Sequence, residues 1–136
     1  LAVGENQQRV AGDDIVRLPV AMLSTEDIDR CVILGALAAG GISPGATHNG
    51  GAASANGGAA YLICTAISGA GATLAVTFED SANGTDWATL VAMTALTAVG
   101  SERKIVTGAV RQYLRVSWTL TGSTPAATWF AAFGRR

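Results

Sequence analysis

The stretch Val110-Arg-Gln-Tyr-Leu-Arg-Val-Ser-Trp-Thr-Leu120 decides the fold class. In an extended chain successive side chains point to opposite faces. Val110, Leu114, Val116, Trp118 and Leu120 therefore share one face, and Arg111, Tyr113, Arg115, Ser117 and Thr119 share the other. That period of two predicts a strand with one buried face. Thr121-Gly-Ser-Thr-Pro125 reads as a turn, after which Ala126 to Phe133 alternates again with Trp129, Ala131 and Phe133 together. Upstream, Thr73-Leu-Ala-Val-Thr-Phe-Glu79 places Leu74, Val76 and Phe78 on one side. Asn83-Gly84 then supplies the left-handed backbone of a tight reversal, and Trp87 to Leu90 begins the return strand. Tyr61 to Ile67 and Val16 to Met22 are strand-like as well, with Pro19 marking the latter as an edge. The helical pattern is confined to Ser24-Thr-Glu-Asp27, a capping arrangement with no 3.6-residue stripe after it. Seven or eight short strands with frequent turns predict an all-β chain, a β-sandwich or jelly roll.

Composition narrows the function. The 136 residues (13.7 kDa) carry a formal charge of −1, with 49% apolar and only 14% charged side chains. Soluble chains average about 25% charged residues. A monomer of this mass exposes roughly 6,600 Å², so the 19 charged side chains stand at about one per 350 Å². So apolar a chain is not intrinsically disordered, and without a basic excess it is not expected to bind nucleic acid. The longest nearly unbroken apolar run, Cys31 to Ile42, is 12 residues, against the 20 or so of a spanning helix. No membrane association is expected, and residues 1–9 lack the order of a secretory signal.

The charges are unevenly placed. Residues 1–30 hold six acids and three arginines, residues 31–78 hold no Asp, Glu, Lys or Arg, and residues 79–136 hold four acids and six bases. Within the neutral span, Ala39 to Ala60 contains seven glycines and seven alanines, the composition of a long flexible loop. The expected organisation is an extended N-terminal arm (1–14) and one β domain (15–136) that includes the loop at 39–60.

Candidate chemistry dissolves on inspection. Gly41-Ile-Ser-Pro-Gly45 has the letters of a nucleophile elbow but lacks the strand before and helix after that lift the serine above a sheet. His48, the only histidine, sits in the same loop and reads as solvated. Asp80, Asn83 and Asp86 are spaced loosely like a calcium loop without its closing bidentate Glu, so a turn is expected. Trp87, Trp118 and Trp129 suit core packing better than a sugar platform. Cys31 and Cys64 lie in apolar runs and read as two buried thiols, with a disulfide left open. No enzyme, cofactor or metal is expected. Arg111 and Arg115, on one strand face with Tyr113 between them, are the candidate partner contacts.

The segments Leu74-Ala-Val-Thr-Phe-Glu-Asp-Ser-Ala-Asn-Gly-Thr-Asp-Trp87 and Arg111-Gln-Tyr-Leu-Arg-Val-Ser-Trp-Thr-Leu-Thr-Gly-Ser-Thr-Pro125, with a final aromatic strand, resemble small β-sandwich structural proteins of tailed bacteriophages. The resemblance covers about residues 61–136. It implies a virion protein: a capsid decoration (cement) protein that bridges coat subunits, with the major capsid protein or copies of itself as partners in a homo-oligomer. A tail component, or a carbohydrate-binding module of a host-recognition fibre, is the alternative. Lattice contacts are expected from the arm, the 39–60 loop, Arg111 and Arg115.

Overall fold

A computed structural model describes residues 30–38 and 43–136. The arm, the strand at Val16 to Met22 and the turn at Ser24 to Asp27 lie outside the described residues. The rest is all-β: β1 (Arg30–Ala38), β2 (His48–Asn49), β3 (Gly58–Ser81), β4 (Ala88–Ala92), β5 (Gly100–Val106) and β6 (Tyr113–Arg135). They form one curled antiparallel sheet around the two long strands β3 and β6, paired from Gly58↔Arg135 to Ser81↔Tyr113.

Both long strands bend at the same level. Gly69 (φ +107°) and Gly71 (φ +67°) of β3 face Gly122 (φ +131°) and Thr124 (φ +46°) of β6, with Ala70 opposite Ser123. Backbone in that region is cheap for glycine and lets a strand turn a corner without ending. The turn expected at Thr121 to Pro125 is therefore a correction: the chain bends there and stays in the ladder. The same corner divides each long strand into two limbs. The first limb joins residues 58–67 and 127–135 with β1 and β5 on its margins, in the order β1-β6-β3-β5. The second joins residues 73–81 and 113–121 with β2 and β4, in the order β2-β6-β3-β4. Six strands thus supply eight strand segments.

The limbs curl toward one another and bury the alternating set. Leu62, Cys64, Trp129, Ala131 and Phe133 come from the first limb, and Leu74, Val76, Phe78, Leu114 and Val116 from the second. Phe78 and Phe133 meet across the gap with ring centroids 6.1 Å apart. Full burial of side chains this size stabilises by roughly 1.5–3 kcal/mol each. A bulge in β1 turns both Leu34 and Gly35 inward, and a Cβ on Gly35 would stand 2.6 Å from Val116 Cγ2.

The glycine-alanine stretch departs from expectation. Residues 43–57 run beside β6, held by Gly45 N–H to Val116 O (2.8 Å), the β2 pairing, Gly50 N–H to Gln112 O (2.9 Å) and a Ser54–Val110 bridge. Gly58, Ala59 and Ala60 are buried within β3. Small side chains permit close backbone approach here, where composition alone suggested a loose loop.

Candidate interaction surface

Directly paired residues point to the same side of a sheet, so the register assigns each face. On the outer side of the first limb one row runs Cys31–Gly134–Ala59–Ile105 from β1 to β5, with Gly134 and Ala59 buried, and the next Ile33–Ala132–Tyr61–Arg103. In a third row Phe130 faces Ile63, with Ser101 beyond it on β5. Ile33 is 66% exposed, Ile105 46% and Phe130 37%. Arg103 brings the one charge among these residues, and it sits at the β5 margin with its guanidinium 5.5 Å from the Tyr61 ring centroid and Nε donating to Tyr61 Oη at 3.0 Å.

The outer side of the second limb has the opposite character. Thr73, Thr77, Ser117, Thr119 and Thr121 line it, and Glu79 stands opposite Arg115. Arg115 Nε donates to Glu79 Oε2 at 2.7 Å, and the guanidinium lies 4.1 Å above the Trp87 ring. The described molecule is two-faced: hydroxyls and an ion pair outside one limb, a nearly neutral apolar sheet outside the other.

Arg111 and Arg115 do not share a face, which corrects the sequence reading. The ladder begins at Tyr113, and Arg111 precedes it in backbone that is not extended strand. Arg111 turns to Asp80, a buried inward residue, by its N–H to Oδ2 (2.8 Å) and its guanidinium to Oδ1 (3.7 Å). At that same end Arg135 donates to the carbonyls of Ala52, Val110, Arg111 and Gln112, closing the sheet's open mouth. Burial draws the Arg135 pKa down, opposed by the charge of Asp80.

The other candidates are tied into structure. Ser43 Oγ accepts the Trp118 N–H at 2.9 Å, and His48 pairs with Leu114. Asn83 Oδ1 accepts from Thr85 and Asp86 N–H, Asp86 Oδ2 accepts from Asn83 Nδ2, and Asp80 is directed elsewhere. Among the described residues no group of three His, Cys, Asp or Glu side chains is placed to hold a metal ion. The tryptophans do not share a surface: Trp129 is 2% exposed and packs edge-on against half-buried Trp118, while Trp87 lies outside the second limb beneath Arg115. Cys64 is buried but Cys31 is exposed, so the two thiols occupy opposite sides of the sheet and are not bonded to each other.

No family model, curated protein or solved structure matches the chain. The arrangement itself is what bears on function.

The sequence reading missed Ile33, Tyr61, Ile105 and Phe130 as a surface. The available signal was that 59–64 and 129–134 are apolar at both odd and even positions. A strand apolar on both sides needs cover on both.

Proposed function

We propose that this chain is a structural protein of a bacteriophage virion, a capsid decoration (cement) protein that docks the outer face of its first limb on the coat lattice and bridges coat subunits. The fold assigned to it is a β-sandwich made by its two limbs. The observation that carries the reading is the contrast between the apolar outer face around Ile33, Ile63, Phe130 and Ile105 and the hydroxyl-lined face opposite. The resemblance of residues 61–136 to phage β-sandwich proteins names the setting, and the thin coat of charge fits a surface covered by neighbours.

Magnitude decides how such a face works. A contact confined to Ile33, Ile63, Phe130, Ile105 and their immediate neighbours falls short of the 1,200–2,000 Å² that stable interfaces bury. One copy binds weakly, and repetition over a symmetric shell makes the attachment firm. Electron cryo-microscopy of the virions tests this directly. Density on the head surface with the first limb facing coat protein is the expected result, density on the tail transfers the chain to the tail, and density on neither overturns the proposal.

A further inference from the structure

We infer that Asn56 is a deamidation site of the folded protein, converted through a succinimide to aspartate and isoaspartate, and that the fold protects Asn49 and Asn83 from the same reaction. The inference stands apart from the docking role proposed above.

Three of the four asparagines precede glycine: Asn49-Gly50, Asn56-Gly57 and Asn83-Gly84. Asparagine is among the thermolabile residues, and a following glycine has no Cβ to crowd its attacking amide. In the reaction the glycine amide nitrogen gives up its proton to base and bonds to the asparagine Cγ. The Cγ–Nδ2 bond breaks, ammonia leaves, and water opens the five-membered imide at either carbonyl. The product carries a new negative charge, and isoaspartate adds a carbon to the backbone. The carboxamide must therefore be free to turn over the next amide, and that amide must be free to lose its proton. All three asparagines are exposed, so solvent access does not separate them. Hydrogen bonding does.

Asn83 is held at every reacting atom. Its Oδ1 accepts from Ser81 Oγ–H (3.0 Å), Thr85 N–H (2.9 Å) and Asp86 N–H (2.8 Å), and Nδ2 donates to Asp86 Oδ2 (2.6 Å). Its nucleophile is held too, since Gly84 N–H donates to the buried Ser81 Oγ at 2.9 Å. Asn49 Oδ1 accepts from Gly51 N–H (2.9 Å) and Gln112 Nε2 (3.0 Å), while Gly50 N–H donates to Gln112 O at 2.9 Å. Asn56 is different. Its own N–H donates to Ser54 Oγ (3.2 Å), but among the described residues no hydrogen bond holds its carboxamide. Gly57 is bonded through its carbonyl, to Arg136 N–H (3.1 Å), and its attacking amide is left unbonded.

The position gives the reaction a consequence. Gly57 is buried at φ +72°, and a Cβ there would overlap Val106 O. That link has no slack for an extra backbone carbon, and it leads into β3, where Gly58 pairs with both Val106 and Arg135. Isoaspartate at position 56 is expected to expose the amides of Gly58 and Arg136 to exchange.

The test incubates the full chain in mildly alkaline buffer, folded and separately in urea, and maps the asparagine peptides by mass spectrometry that distinguishes isoaspartate from aspartate. In urea the three dipeptides are expected to react at similar rates. In the folded protein Asn56 is expected to stay within about tenfold of its rate in urea, and Asn49 and Asn83 to fall at least about tenfold behind Asn56, because several hydrogen bonds must open first. Ser81→Ala is expected to raise the Asn83 rate at least about threefold and to leave the Asn56 rate unchanged. Asn56→Gln is expected to remove most of the acidic species that builds up in the folded protein on ion exchange. Asn49 or Asn83 matching Asn56 in the folded protein, folding that slows Asn56 by more than about tenfold, or an Asn83 rate indifferent to Ser81→Ala overturns the inference.

Discussion

Trp118 and Trp129 belong to one strand, yet their rings meet edge to face with centroids 5.1 Å apart and planes inclined at 68°. A straight strand cannot bring them together; the corner at Gly122 and Thr124 does. The contact ties the first limb to the second, so it is the core feature most sensitive to how sharply the sheet curls. Replacing a buried aromatic by alanine costs about 3–5 kcal/mol. Trp129→Ala is expected to fall in that range by urea unfolding, and the acrylamide-shielded part of the tryptophan emission is expected to disappear with it.

The corner glycines separate strain from space. A Cβ on Gly69 would stand 2.8 Å from Ser123 O, and one on Gly122 2.9 Å from the Ala72 backbone, both at positive φ. Gly69→Ala and Gly122→Ala are each expected to cost at least about 2 kcal/mol, since forbidden backbone alone costs about 1–3 kcal/mol. Gly71 has φ +67° and open space around it. Asparagine tolerates that conformation, so Gly71→Asn is expected to stay within about 1 kcal/mol of wild type. Denaturant midpoints of the three variants check the contrast.

Arg135 fastens the end of the final strand to carbonyls of residues 52 and 110–112. Arg135→Met keeps the stem and removes every donor. Hydrogen bonds to a charged group are worth about 1.5–3 kcal/mol, so a loss of about 2–4 kcal/mol is expected. Amide exchange resolves it locally: Gly50, whose N–H bonds to Gln112 O, and Ser54, bridged to Val110, are expected to lose protection ahead of the core.

Acid is expected to loosen the β4–β5 margin. Burial pushes the Glu102 carboxyl up, but the hydrogen bonds from Thr94 and the charge of Lys104 outweigh it and hold it below the ordinary value of 4.5. A carboxylate lowered on folding stabilises the native state above its unfolded pKa, and that contribution is lost as pH falls through the folded one. Glu102→Gln is expected to cost about 1 kcal/mol near neutral pH, and the two proteins are expected to converge as the pH falls through the lowered Glu102 value. Urea titrations across that range check the sign.

Much of the fold was legible because alternation survives wherever one face is polar. Leu74, Val76 and Phe78 against Thr73, Thr77 and Glu79 gave the second limb, and Asn83-Gly84 (φ +77°) gave its hairpin. The corners were not legible, since Gly69, Gly71 and Thr121 to Pro125 carry the same residues whether a chain reverses or bends. Only their pairing across β3 and β6 distinguishes the two. The pinning of residues 43–57 was hidden for a related reason: it is made by backbone groups, which no side-chain pattern announces. Pairing was not legible either: Arg111 and Arg115, the candidate partner contacts, are engaged by Asp80 and Glu79, which lie some thirty residues upstream. The apolar face passed unnoticed because it looks like core.

The central claim is that the outer face of the first limb holds this protein to a phage shell. Co-sedimentation with empty phage heads, comparing wild type with Phe130→Glu and with Thr119→Glu on the opposite face, tests it most directly. The account predicts pelleting of wild type and Thr119→Glu, and loss of pelleting for Phe130→Glu with its fold intact. Phe130→Glu pelleting as well as wild type, or wild type staying in the supernatant, would contradict it.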